Sequence, residues 1–214
     1  ELFKKLVDEC ASYSSNYSIR LSWRGEPFLH PKFDEMVSYA KKAGIKEVST
    51  LTHGGFLNPE RFEKLMKAGL DWLSISVDGT GETYEKIRKP LKFDETVDKI
   101  KKYHEIKKKN KSVKPIIKIQ GVWPAIEESG AQKYLDTFNP IADQVTSGEL
   151  LDCLRKDEKI EYIEDYGPFP GLYQRLTIGS DGLVKLCYND EMGTTDVGNV
   201  NKETIFNVWH GKKL

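Results

Sequence analysis

Cysteine is scarce here: Cys10, Cys153 and Cys187 are the three in 214 residues, and they lie far apart. An odd, scattered set argues against a disulfide framework and fits a reducing, cytoplasmic compartment. No two are close enough in sequence to build a local metal knuckle. Net charge is missing too. Lys plus Arg and Asp plus Glu both number 33, so no global field draws the chain to nucleic acid or to an acidic membrane surface. No apolar run approaches the length of a membrane span, so no membrane partner is expected. The chain starts at Glu1 without an initiator methionine or a signal sequence, which reads as a piece of a longer or processed chain. What is present, 31% charged and 38% hydrophobic residues, describes a soluble globular protein of one large domain or a main domain with an appendage.

The most informative stretch is residues 17–31. An apolar, β-branched run over 17–23 predicts a strand, Arg24-Gly25-Glu26-Pro27 stops it, and a helical pattern follows over 32–42 with Phe33, Met36 and Val37 on one side. Gly25 lets backbone approach a ligand closely, Glu26 sets a carboxylate at the strand's carboxyl end, and Pro27 stiffens the exit. In parallel α/β folds, ligands bind at that end of the strands. The same alternation recurs along the chain. A helix is expected over 2–13, strands over 46–52, 71–78, 113–122 and 143–146, and helices after Asn58-Pro59, over 93–108 and over 126–138. The run Lys107-Lys-Lys-Asn-Lys111 reads as a solvated helix end. Strands alternating with helices call for a parallel α/β sheet or barrel, with too few strands for a closed eight-stranded one. Residues 1–147 form this unit, the charge-rich residues 148–166 a linker, and 167–214 a small module with a β-hairpin and a short helix.

Four strand ends, Gly25-Glu26-Pro27, Thr52-His53-Gly54, Ser74-Ile-Ser76-Val-Asp78-Gly79 and Ile117-Lys-Ile-Gln120, follow in an order and spacing that closely resembles the radical S-adenosylmethionine enzymes. The resemblance implies an α/β partial (β/α)6 barrel that binds S-adenosylmethionine across its strand tips. The tail, with Leu176-Thr-Ile178, Asp181-Gly182, Cys187, Asp190 and Gly198-Asn199-Val200, resembles the SPASM extension of that family, which binds auxiliary iron–sulfur clusters. By resemblance, Gly25, Glu26 and Pro27 hold the ammonium of S-adenosylmethionine, and an ammonium does need acceptors. Thr52, His53 and Gly54 stand where the family usually has Thr-Asn-Gly. Ser74, Ser76 and Asp78 alternate, share one face and meet the ribose; Gln120 belongs to the same set. Arg88 matches an arginine that pairs with the methionine carboxylate. Trp123-Pro124, past the 113–122 strand, reads either as a substrate contact at the mouth or as a packed loop aromatic.

The resemblance also sets out what is not in this sequence. The family's first strand and its Cys-x3-Cys-x2-Cys loop, which holds the four-iron four-sulfur cluster, belong just before the opening helix, upstream of residue 1. Phe169 takes a position where the tail commonly has cysteine, and Tyr188 follows Cys187 where a second cysteine often stands. Cys187 is the one candidate for an auxiliary cluster, and a single thiolate rarely holds one, so the module is expected to be degenerate and empty. The implied activity is reductive cleavage of S-adenosylmethionine to a 5′-deoxyadenosyl radical that abstracts hydrogen from a peptide or small-molecule substrate, with an external reductant supplying the cluster. The alternative from another class is a non-catalytic binding or interaction module that keeps the barrel but has lost its clusters.

Overall fold

The protein is described by a computed structural model over residues 1–14, 16–150, 170–190 and 193–214. The expected strands appear as β1 (Ser18–Arg20), β2 (Glu47–Thr52), β3 (Trp72–Ser76), β4 (Ile116–Val122) and β5 (Gln144–Gly148). They form one five-stranded sheet, parallel at every pairing and ordered β1-β2-β3-β4-β5. The opening helix is α1 (Leu2–Tyr13); α2 (Phe33–Lys42), α3 (Pro59–Ala68), α4 (Gly81–Ile87), α5 (Phe93–Lys109), α6 (Trp123–Glu128) and α7 (Ala131–Phe138) connect or follow the strands.

Local chemistry sets the boundaries. Asn58 caps α3 by accepting from the Arg61 N–H at 2.8 Å, Pro59 opens the helix, and Gly69 closes it at φ 93°. The sequence reading ran a single helix over 126–138; the structure breaks it at Ser129-Gly130, where Gly130 takes φ 93°. Only Ser18–Arg20 of the expected first strand is regular; beyond it the Leu21 N–H still donates to the Ser49 carbonyl at 2.8 Å and the Ser22 hydroxyl accepts from the Leu51 N–H at 3.1 Å.

Sequential strand order has a direct consequence. Right-handed crossovers between neighbouring parallel strands carry the connecting helices to one face of the sheet. That face holds Val48, Leu73, Ile75, Ile117 and Ile119, all at most 1% exposed, each burial contributing about 1.5–3 kcal/mol. Phe62 of α3 stacks on Tyr103 of α5 at 4.6 Å within this layer. The alternating residues face the other way, and the register aligns them in rungs: Leu51, Ser74, Lys118 and Gln144 in one, then Ser76, Gln120 and Thr146 in the next. That second face is polar.

The chain forms two compact units, one of Ala11–Leu150 and one that joins Glu1–Cys10 to the described residues of Leu151–Leu214. In the second, β6 (Thr177–Ile178), β7 (Leu183–Lys185) and β8 (Asp196–Asn199) make an antiparallel sheet beside α8 (Ile205–Trp209). The expected hairpin is present with a third strand added. Val184, Val200 and Val208 are its core, with Leu2 and Leu6 of α1 packed against them, and the Lys5 ammonium donates to the Val200 carbonyl at 2.5 Å.

At the amino ends of the strands, Asp71 is a buried junction. Its carboxylate accepts from Lys114 Nζ at 2.5 Å, Lys41 Nζ at 2.8 Å and the Val48 N–H at 2.9 Å. Burial alone raises this carboxyl, but these donors outweigh it and hold it below its ordinary value. Its contribution to stability is therefore full above about pH 4, the range of an unfolded aspartate, and is lost as pH falls through the lower folded value. Asp71→Ala is expected to cost about 2–3 kcal/mol in urea unfolding at pH 7, the cost of orphaning a buried donor. The difference from wild type is expected to shrink below pH 3.

Candidate cofactor site

The carboxyl ends of β1 to β4 carry two cross-linked clusters. The first is centred on Glu26, whose side chain is 6% exposed. It precedes a short 3-10 turn, Pro27–Leu29, and Oε1 accepts from the Phe28 N–H at 3.1 Å. Thr52 Oγ1 donates to the same oxygen at 2.6 Å, and the His53 N–H donates to Oε2 at 3.0 Å. The His53 ring completes the set. Its Nδ1 accepts from the Gly55 N–H at 3.0 Å, so in the neutral ring Nε2 carries the hydrogen and faces Glu26 Oε2 at 3.3 Å. Three hydrogen bonds thus hold this carboxylate, with the His53 ring nitrogen beside it. Thr52 Oγ1 also accepts from the Gly54 N–H at 2.8 Å, and Gly25 and Gly54 adopt φ 73° and 77°, where glycine is favoured.

Arg61 was not singled out by the sequence reading. Its Nη1 donates to the Phe28 carbonyl and Nη2 to the His30 carbonyl, both at 2.6 Å, pinning the segment that follows Glu26.

The second cluster is centred on Asp78, 4% exposed. Arg88 donates to Oδ2 through Nε at 2.6 Å, with Nη2 2.5 Å from the same oxygen in the ion pair, and the Val122 N–H donates to Oδ1 at 3.0 Å. Resemblance gave Asp78 and Arg88 separate partners on one ligand; the structure pairs them with each other and ties both to the end of β4. Nη1 of Arg88 and one acceptor position of Oδ1 lie outside this pairing. Gly79 and Gly121 permit the tight approach here: a Cβ at Gly79 would come within 2.7 Å of the Ala125 carbonyl, and one at Gly121 would collide with the Val77 carbonyl. Tyr134 donates to the Val77 carbonyl at 3.0 Å, and burial, aided by the Asp78 charge, pushes its phenol well up.

Ser74 and Ser76 stand on the polar face beside this cluster, each 8% exposed. Neither hydroxyl bonds to another described residue, and no fully buried side-chain polar atom lacks a partner. Each hydroxyl thus keeps a narrow opening onto the face. Gln120 pairs across from Ser76 in the same rung, and its side-chain amide is likewise without a partner among the described residues. Trp123 follows at the mouth, 45% exposed.

The thiols do not gather. Cys10 lies on α1, where burial and then the Glu9 charge push its thiol up, and Cys187 lies past β7 with its Sγ accepting from the Asn189 N–H at 3.4 Å. Cys153 and Phe169 fall outside the described residues. Among the described residues no three His, Cys, Asp or Glu side chains group to hold a metal, so these residues do not supply the ligand set of an iron–sulfur cluster. The hydroxyl, amide, carboxylate and guanidinium groups at the strand ends do fit a nucleoside carrying an amino acid.

Thr52→Val is expected to lower stability by about 1–2 kcal/mol in chemical denaturation, because it removes one donor to Glu26 and the acceptor of Gly54. His53→Ala, which keeps both main-chain bonds and Thr52, is expected to cost less.

The model of the Radical SAM superfamily matches residues 4–122, and that of the SPASM iron–sulfur cluster-binding domain matches residues 170–214. Among curated proteins, an AdoMet-dependent heme synthase of Methanosarcina barkeri is 38% identical over 96 residues, 44% of this chain and 27% of its own length. An Fe-coproporphyrin III synthase of the same organism is 34% identical over 85 residues, 40% of this chain and 21% of its own length. The chain therefore spans about a quarter of the length of these two relatives. A probable GTP 3′,8-cyclase of Methanococcus maripaludis is 26% identical over 213 residues, covering 82% of this chain and 70% of that protein. Among solved structures, anSMEcpe with bound S-adenosylmethionine aligns with TM-score 0.72 at 18% identity, over 99% of this chain and 68% of that one. Streptococcus suis SuiB bound to S-adenosylmethionine aligns with TM-score 0.62 at 14% identity, over 99% and 58%. At these identities the two structures show the fold, an incomplete radical SAM barrel. The family's cofactors are S-adenosylmethionine and iron–sulfur clusters. The chain belongs to the Radical SAM superfamily and carries a SPASM-type segment at residues 170–214.

Proposed function

We propose that this chain is the S-adenosylmethionine-binding barrel of a radical enzyme that modifies a peptide or small-molecule substrate. The observation that carries the reading is the pair of hydroxyls at Ser74 and Ser76, nine-tenths buried yet unpartnered, beside a carboxylate with an acceptor position to spare at Asp78. Buried polar groups are normally satisfied within the protein, and a set left open at the carboxyl end of a parallel sheet suits a ligand.

Ser76 and Asp78 Oδ1 hold the ribose hydroxyls, and Gln120 faces the same nucleoside. Arg88, fixed through Nε and Nη2 to Asp78, offers Nη1 to the methionine carboxylate. Glu26 acts through position. Held by hydrogen bonds from the Phe28 N–H, the Thr52 hydroxyl and the His53 N–H, it locks the Gly25 turn, and the main-chain carbonyls of that turn receive the ammonium. When bound, the cofactor supplies radical hydrogen abstraction once an external reductant delivers an electron through the family's cluster. The side chains of this barrel need only bind, orient and exclude water.

Calorimetric titration of S-adenosylmethionine into the chain tests this. Saturable binding is expected, about tenfold weaker in Ser76→Val, the loss of roughly one hydrogen bond to a bound ligand. Arg88→Ala is expected to weaken it further, since Asp78 is then left without its counter-charge. No heat from the wild-type chain at millimolar ligand would contradict the reading and favour a non-catalytic module.

A further inference from the structure

One charge on the polar face of the sheet has no counterpart. Lys118 sits in β4 directly across from Ser74 of β3 and two residues before Gln120. It is half-buried, and its ammonium makes no hydrogen bond or ion pair with any described residue. Other lysines withdrawn from solvent behave differently: Lys107 donates to Asp143 at 2.5 Å, and Lys185 donates to Asp196 and to the Gly193 carbonyl. The single carboxylate that β1 to β5 present on the same face, Glu47, lies two rungs nearer the amino ends and accepts from the Trp72 indole N–H at 3.1 Å. Ser74 adds a hydroxyl that is nine-tenths buried and without a partner.

We propose that Lys118, with Ser74 across from it, is an oxyanion site that receives a carboxylate or phosphate group of the substrate, one rung below Ser76 and Gln120 of the nucleoside-binding set. The inference rests on the reading of this face as the lumen of a radical enzyme, and it names the substrate's chemistry. A lysine half-buried on this face and without an acidic partner keeps its ammonium available, and an oxyanion there meets it in a charge-assisted hydrogen bond that is stronger than in bulk water. Ser74 supplies a neutral donor next to the charge. Parallel strands stand about 4.8 Å apart, so the two side chains can converge on one anion. The lysine also favours one end of an asymmetric substrate, fixing which C–H bond is turned toward the cofactor at the strand tips.

The test is a titration of the chain with pyrophosphate and, separately, succinate, at constant ionic strength set with chloride, following the Cε resonance of Lys118 by NMR. A saturable shift with one or both probes is expected, with binding about tenfold weaker in Lys118→Met, as befits loss of one charge-assisted hydrogen bond. Ser74→Ala should weaken binding by a smaller factor while leaving the Lys118 signal responsive. Tighter pyrophosphate binding assigns a phosphate-bearing substrate, and tighter succinate binding a carboxylate. A linear, unsaturated drift in the wild-type chain, or equal binding to Lys118→Met, would overturn the proposal, and the wild-type result stands even if a variant fails to fold. A parallel titration with S-adenosylmethionine separates the two readings. Cofactor binding without anion binding removes the oxyanion site alone; anion binding without cofactor binding keeps the site and removes the nucleoside reading.

Discussion

A parallel sheet whose strands run in sequence order can cover only one of its faces with its own crossover helices. Here the covered face is apolar, with Val48, Leu73, Ile75, Ile117 and Ile119 at most 1% exposed. The other face alternates with it at every second residue and carries Ser74, Ser76, Lys118, Gln120 and Thr146. The period of two therefore builds the core and the site in one operation. A substitution that shifted the register by a single residue would send the hydroxyls into the core and the isoleucines into the lumen.

Buried carboxylates hold both ends of this sheet, and they are wired differently. At the amino ends, Asp71 is satisfied by two lysines and a main-chain N–H, which makes it a fixed joint between α2, β2, β3 and the approach to β4. At the carboxyl ends, Glu26 ties the turn after β1 to the end of β2, and Asp78 ties β3 to β4 and to the end of α4. Glu26 is held by three hydrogen bonds from its neighbours and so positions; Asp78 keeps an acceptor position and so can also bind. The glycines at 25, 54 and 79 serve the same edge, where the chain turns with positive φ, and at Gly79 also runs close to the Ala125 carbonyl. Rigidity at the strand ends before any ligand arrives is what precise orientation of a reactive cofactor demands.

Much of this was legible in the sequence. The strand and helix alternation, the glycine turns and the resemblance carried by Gly25-Glu26, Thr52-His53-Gly54, Ser76-Asp78 and Arg88 gave the family and the fold. What was not legible depends on pairing across the sheet. Two of the three hydrogen bonds to Glu26 come from Thr52 and His53 at the end of the next strand, and the Asp78–Arg88 pair requires α4 to fold back on β3. That Lys118 lacks a partner can be known only once every neighbouring acid has been placed. Its position on the polar face, by contrast, follows from the alternation of Lys118 with Gln120 and of Ser74 with Ser76. The packing of Leu2 and Leu6 against Val184, Val200 and Val208 escaped notice because the residues lie nearly the whole chain apart.

Amide hydrogen exchange with and without S-adenosylmethionine tests the central claim most directly, since it reports every strand end at once. The account predicts added protection confined to the carboxyl-end turns around Gly25, His53, Gly79 and Val122, with the amino ends around Asp71 and Val48 unchanged. Uniform protection, or none at those turns, would contradict a nucleoside site built on this edge of the sheet.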